Sequence, residues 1–462
     1  MSVGAESGSS SGEGVRQLLG LAWPVILSRA TQAVVGFCDA LMVAPLGEAA
    51  LAAASTGALN TFAMIILPMG TVFIVQSFAA QLRGRGEWST IPRYAWYGLS
   101  IAVVAGVIAA LAIPAVPWAL ARFAYAPDVH GLMSQYLSIR LLSVAPAVGI
   151  EVLGNWYGGL GNTRVGMVAG VITMVANVIG NYLLIEPRFG LPGWGVAGAA
   201  WASTVASCVG FGVLLLAFLR GYGYERTAEK LVLSARELKR VLRFGVPNGV
   251  NWFLEFAAFV LFINVPIAKL GTTVLAAFNV VMQINSIAFM PAFGLSSAGA
   301  ILVGEAIGRR ALADVWPIVR RTGLVAGGWM ASIGLLYLVN PGGLISLFAP
   351  RDVPAETLIA VGATMLALSA VWQLFDAVAM TLSEALRAAG DTTWCMLARI
   401  VLAWFVFTPA AWTAVLVLGG GVLTVMLALS LYIAVLAAAF SLRFASGRWK
   451  NIDLVEVEPK LV

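Results

Sequence analysis

The chain has 462 residues, 60% of them hydrophobic and 11% charged, with a mean hydropathy of +0.91. Those values fall outside the range of water-soluble globular domains and exclude that class. The formal net charge is +6, but the basic residues gather in short breaks between apolar runs. Membrane orientation produces that pattern, so no nucleic-acid partner is expected.

Residues 1–14 are rich in Ser, Gly and Glu without an apolar run, which reads as a disordered cytoplasmic tail and not as a signal peptide. Apolar stretches of roughly the 20 residues a membrane span needs then recur from Leu18 to Phe444. We place spans near 18–43, 51–81, 94–118, 132–158, 165–186, 194–219, 245–268, 274–304, 322–347, 357–386, 395–418 and 422–443. This predicts an all-α integral membrane protein of about twelve transmembrane helices. A charged cytoplasmic linker at 220–243 separates an N-terminal six-helix lobe, 15–219, from a C-terminal six-helix lobe, 244–445. Residues 446–462 form a second cytoplasmic tail.

Positive loops stay in the cytoplasm. Arg83, Arg85, Arg93, Arg164, the segment from Arg220 to Arg243, Arg309, Arg310, Arg320, Arg321 and Arg387 all fall on one side. The other side holds little beyond Arg122, Arg188, Lys269 and Arg351, so both termini are expected to be cytoplasmic. His130, the single histidine, is expected in a solvated loop. Cys38, Cys208 and Cys395 show no paired spacing and read as small residues of the spans.

An internal repeat organises the chain. Shifted by 224, Leu46-Gly47 falls on Leu270-Gly271, Leu51-Ala52-Ala53 on Leu275-Ala276-Ala277, Gly70 on Gly294 and Gly84-Arg85 on Gly308-Arg309. Gly161-Asn162-Thr163 meets Gly390-Asp391-Thr392 at a slightly larger shift. A solute path between two such lobes is the natural expectation.

Three carboxylates, Asp39, Glu255 and Asp376, lie inside apolar spans. A charge at membrane depth costs several kcal/mol and marks an ion or substrate path. Asn177 and Asn181 are spaced i,i+4, so both amides share one helix face at about 6 Å. With Asp39 and the Ser203 hydroxyl they make an oxygen-rich nest for a small hard cation such as Na⁺ at Asp39, Asn177 and Asn181. The same nest could instead serve a proton carried by Asp39. The alternative for the asparagines is that they only tie helices together. Pro24 lacks a backbone donor and could let the first span bend as the site changes occupancy.

The C-terminal acids have different company. Glu255 is flanked by Phe256, Phe259 and Phe262, and Asp376 by Gln373 and Met380, with Met282, Gln283 and Asn285 as further lining. Carboxylates, ring faces and thioethers suit lipophilic cations, although the aromatic and Met stripe also fits ordinary packing. Arg29 and Arg140 lie within spans and are assigned to no site. Arg29 either pairs with an acid or snorkels. Glu305 and Arg309 read as a structural i,i+4 pair, and Glu151 and Glu384 carry no assignment.

Pro24, Asp39, Leu46-Gly47, Leu51-Ala52-Ala53, Gly161-Asn162-Thr163-Arg164, Asn177 with Asn181, and Gly195 to Ser203 resemble the first half of a multidrug and toxic compound extrusion (MATE) transporter. Gly245-Val246-Pro247, Glu255, Leu275-Ala276-Ala277, Met290-Pro291, Gly294, Val303-Gly304, Asp376 and Gly390-Asp391-Thr392 resemble its second half. The likeness runs over about residues 16–445. Glu255 with Asp376, and Asn at 181, resemble the NorM-type bacterial branch. Val165-Gly166, Trp394 and Ala44-Pro45 depart from the family pattern in tight connections. The resemblance implies the Asp39, Asn177, Asn181 and Ser203 set as the cation site. It implies a monomer in the bacterial inner membrane, among membrane lipids, that needs no cofactor. It further implies export of cationic or amphipathic small molecules against Na⁺ or H⁺. A flippase for lipid-linked saccharides or lipids, from the same superfamily, is the alternative. No Lys follows a Gly, which excludes a Walker A loop, and one histidine excludes H-E-x-x-H, so no catalytic residue is expected.

Overall fold

The computed structural model describes residues 7–123, 125–188, 190, 192–224, 232–348 and 356–455. Parts of the two tails and of the linker, with Arg351, lie outside the described residues. Eleven helices there are long and apolar enough to cross a membrane, or twelve when one bent pair counts as a single span. In chain order they are α1 (Gly12–Leu46), α2 (Glu48–Arg85), α3 (Ile91–Leu120), α4 (Pro127–Leu141 and Val144–Gly159, bent by 47°), α5 (Thr163–Leu184), α6 (Gly195–Leu219), α7 (Ala235–Ile267), α8 (Thr272–Gly308), α9 (Leu312–Val339), α10 (Glu356–Ala389), α11 (Thr392–Val417) and α12 (Val422–Ala445).

Some edges differ from those expected, each for a local reason. The helix that carries α1 already starts at Ser7, so residues 7–14 are helical. The linker becomes helix at Ala235. There Glu237 accepts from the Tyr97 hydroxyl at 2.5 Å and pairs with Arg93 at 3.5 Å. α9 begins ten residues before the expected 322, because its first turns carry Asp314, Arg320 and Arg321, which hydropathy reads as loop. Asn340-Pro341 ends it, and the Asn340 side chain caps the next short helix by accepting from the Gly343 amide at 3.0 Å. His130 lies on the first half of α4, which Pro127 starts at its first position.

The described residues form two compact units. One is Leu27–Gly249; the other joins the residues up to Ile26 with those from Val250 onward. The division runs through α1 and α7, in each case shortly after an internal proline, Pro24 or Pro247. In the first unit α7 enters against α2 at backbone contact. A Cβ on Gly249 would stand 2.4 Å from the Leu67 carbonyl oxygen, and Asn248 donates to the Gly70 carbonyl at 2.7 Å. In the second unit Phe262, Phe278, Tyr337, Trp372 and Phe407 centre one core cluster, and Phe440, Phe444 and Trp449 a second.

The repeat seen in the sequence is written in the backbone. Gly47 and Gly271 both take φ near 107° (106° and 108°) ahead of α2 and α8. The α5 and α11 connections repeat a paired closure: Gly161 and Asn162 bond back to Gly158 and Tyr157, and Gly390 and Asp391 to Arg387 and Leu386, all at 2.8–2.9 Å. That is the Schellman ending, in which a left-handed residue lets two terminal carbonyls find donors.

Candidate functional site

In the first unit, Asp39 of α1 meets α5 and α6. Asn177 Nδ2 donates to Asp39 Oδ1 at 3.0 Å and Asn181 Nδ2 donates to the same oxygen at 2.5 Å. The Ser203 hydroxyl donates to Asp39 Oδ2 at 2.9 Å and accepts from Asn177 at 3.0 Å. Both asparagines have no solvent exposure. Small residues make this meeting possible. On α5 and α6 a Cβ at Gly180 would lie 2.9 Å from Ala202 Cβ, and one at Gly198 would lie 2.2 Å from the Leu184 carbonyl oxygen. The two helices therefore approach closely enough for short polar side chains to bridge them.

Three donors converge on a carboxylate, a group that only accepts when ionised. The amide nitrogens, and not the oxygens expected from the sequence, face Asp39. One acceptor is left over: Asn181 Oδ1 is buried without a hydrogen-bond partner. A buried amide oxygen without a donor is costly, and a cation, a water or a rotated amide would satisfy it.

A second polar cluster sits on the same α1 helix. Arg29 donates through Nη1 and Nη2 to the two oxygens of Glu151 on α4, at 2.8 and 3.0 Å. Gln32 and Asn155 also donate to this carboxylate, at 3.4 and 3.1 Å. Glu151 thus answers the question of what Arg29 faces. Arg140 keeps Nε and Nη1 buried without partners. Pro24 is buried within α1.

In the second unit, Glu255 of α7 forms an ion pair with Arg399 of α11, a residue the sequence reading did not single out. Trp404 Nε1 donates to the neighbouring Leu254 carbonyl at 3.1 Å. Between these two anchors α11 changes from α to π winding at Val401–Phe407, which alters which side chains share a face. Asp376 of α10 lies within electrostatic reach of both Glu255 and Arg399, yet makes no hydrogen bond or ion pair among the described residues. Phe259 and Met282 pack against the core cluster, while Gln283 is exposed. Asn285 is the better connected neighbour: it accepts from Gln373 at 2.5 Å and donates to Ser369 at 3.3 Å. Glu305 and Arg309 pair at 3.0 Å as expected from their spacing.

A helical multi-pass protein that holds acids inside apolar spans fits the class of membrane transporters. The family model MatE matches residues 24–183 and 249–413, and the chain belongs to that family. It is 29% identical to the "Probable multidrug resistance protein NorM" of Pseudomonas putida, over 93% of this chain and 94% of that one. The protein of the same name in Chromobacterium violaceum is 30% identical, over 84% and 83%. Among solved structures, an outward-facing multidrug resistance MATE family transporter of the MOP superfamily superposes with a TM-score of 0.86 at 19% identity, covering 94% of this chain and 97% of that one. A MOP superfamily transporter from Pyrococcus furiosus gives the same TM-score at 19% identity, covering 95% and 97%. Likeness at this identity is one of fold.

Proposed function

We propose that the chain is a NorM-type antiporter that exports cationic or amphipathic compounds across the bacterial inner membrane by alternating access, in exchange for Na⁺ or H⁺. The observation that carries this reading is the Asp39 cluster: one carboxylate, with no ion pair among the described residues, held by Asn177, Asn181 and Ser203 within apolar spans. The carboxylate is the exchangeable charge. An arriving proton neutralises it and weakens the three donors' hold. An arriving Na⁺ takes its oxygens together with amide oxygens turned toward it, Asn181 Oδ1 first. The names carried by the bacterial relatives support the drug-export part. In the second unit Glu255 and Asp376 supply the negative charge that a lipophilic cation seeks, with Phe259 and Met282 as adaptable apolar neighbours. The Arg and Lys distribution supports a cytoplasmic position for both termini.

The test is efflux of a fluorescent cation from proteoliposomes under an imposed pH or Na⁺ gradient. Efflux under one gradient, lost in Asp39→Asn, supports the reading and names the ion. Silence under both gradients overturns it and favours the flippase alternative.

A further inference from the structure

We propose that Arg399 is a built-in counter-ion that limits the C-terminal acid cluster to one positive charge at a time, and so sets the substrate charge the transporter prefers. The inference rests on the reading above that Glu255 and Asp376 receive cations.

The side chains are arranged front and back. Arg399 is the rear member: its side chain is 13% exposed, its guanidinium lies 5.6 Å from the Phe440 ring centroid, and its Nε is buried without an acceptor. Glu255 is the front member, with 43% of its side chain exposed and only Oε2 engaged by Arg399. Asp376 from α10, Tyr432 from α12, and Cys395 one turn before Arg399 on α11 lie within electrostatic reach of the pair. A guanidinium does not lose its proton in a protein, so its charge is a fixed part of the site.

With both carboxylates ionised, the one fixed guanidinium leaves the cluster one negative charge. A monocation that binds there makes the cluster neutral. A dication leaves it positive, in surroundings where an uncompensated charge is expensive. Without Arg399 the same acids would hold two charges and favour the dication.

The experiment uses the full chain in lipid nanodiscs and compares ethidium, a monocation, with propidium, a dication built on the same ring system. In Arg399→Gln the ratio of the two dissociation constants should move toward propidium by about tenfold or more, while Arg399→Lys keeps the wild-type ratio. Charge restoration guards against a merely structural effect. Glu255→Gln alone should bind both probes more weakly, and Glu255→Gln with Arg399→Gln, which returns the cluster to one negative charge, should regain ethidium binding. Equal changes for both probes in Arg399→Gln, or a double variant no better than Glu255→Gln, would overturn the proposal. Asp376→Asn separates the two layers. If it leaves both probes bound as in wild type, the assignment of this site to cations fails. If it weakens both while Arg399→Gln leaves the ratio unmoved, only the counter-ion role fails.

Discussion

Arg29 and Glu151 lie 122 positions apart and close a two-pronged ion pair, with both guanidinium terminal nitrogens on the two carboxylate oxygens at 2.8 and 3.0 Å. The acid is 5% exposed and receives two further donors from Gln32 and Asn155. A pair of this kind costs desolvation on both sides and recovers it only while complete. Removing the guanidinium leaves Glu151 as a buried charge without its counter-ion. Arg29→Met should therefore lower stability by about 3–5 kcal/mol, whereas Arg29→Met with Glu151→Met should recover most of the loss. Thermal unfolding of the purified variants in one detergent measures both. A double variant as unstable as the single one would mean that the pair itself, and not the orphaned charge, stabilises the fold.

Asp39 is expected to behave differently from that pair, because its neighbours are neutral. Asp39→Asn keeps the volume and removes the charge, and should abolish gradient-driven efflux without lowering expression. Asn177→Ala and Asn181→Ala each remove one donor and leave the carboxylate, so partial transport should remain. Severe loss in both, together with poor expression, would show that the asparagines act as ties between α5 and its neighbours and not as part of an ion site.

This contrast also explains what was legible in the sequence. Asp39 stood out as a lone acid in an apolar run, and Asn177 with Asn181 as an i,i+4 stripe, since both signals are local to one helix. Ser203 offered a hydroxyl oxygen from the next span and belonged to the set that the MATE resemblance implies. Arg399 could not be read in the same way. It sits eight residues into α11, near a break that already carries Arg387, and its partner Glu255 is 144 positions away. The π winding at Val401–Phe407 also breaks the 3.6-residue register by which faces are assigned from sequence. Within the Met282, Gln283 and Asn285 group the sequence does not say which side chains join a network: adjacent helical positions point about 100° apart, and Gln283 is exposed while Asn285 joins Gln373.

The passage of α7 along α2 depends on Gly249. A methyl group there would come within 2.3 Å of Thr71 Oγ1 and 2.4 Å of the Leu67 carbonyl oxygen, and the carbonyl belongs to a helix that cannot yield alone. Gly249→Ala should cost about 1–3 kcal/mol. Gly36, on α1, would present its methyl to open space, so Gly36→Ala should leave the unfolding midpoint equal or raise it. Midpoints measured side by side check the pair, and an unchanged Gly249→Ala would mean the two helices can slide apart at no cost.

The repeat supplies a prediction about a position where the two halves disagree. Gly86 ends α2 with φ of 76°; its amide bonds to the Arg83 carbonyl at 3.0 Å and the next amide, Glu87, to Leu82 at 3.1 Å. The 224-residue shift carries position 86 to 310. There Arg310, the one non-glycine residue with positive φ among those described, takes φ of 62° and repeats the ending with bonds to Ile307 and from Ala311 to Ala306, each at 2.9 Å. The left-handed conformation costs an L-residue roughly 1–2 kcal/mol, and glycine avoids that cost while giving back some chain entropy in the unfolded state. Arg310 is exposed and makes no ion pair among the described residues, so little else is lost. Arg310→Gly should raise stability by up to about 1 kcal/mol, and Gly86→Arg should lower it by a similar amount. Unfolding midpoints of both variants decide the matter. A fall in Arg310→Gly would show that the arginine contributes more through its charge at the end of α8 than it loses through its backbone.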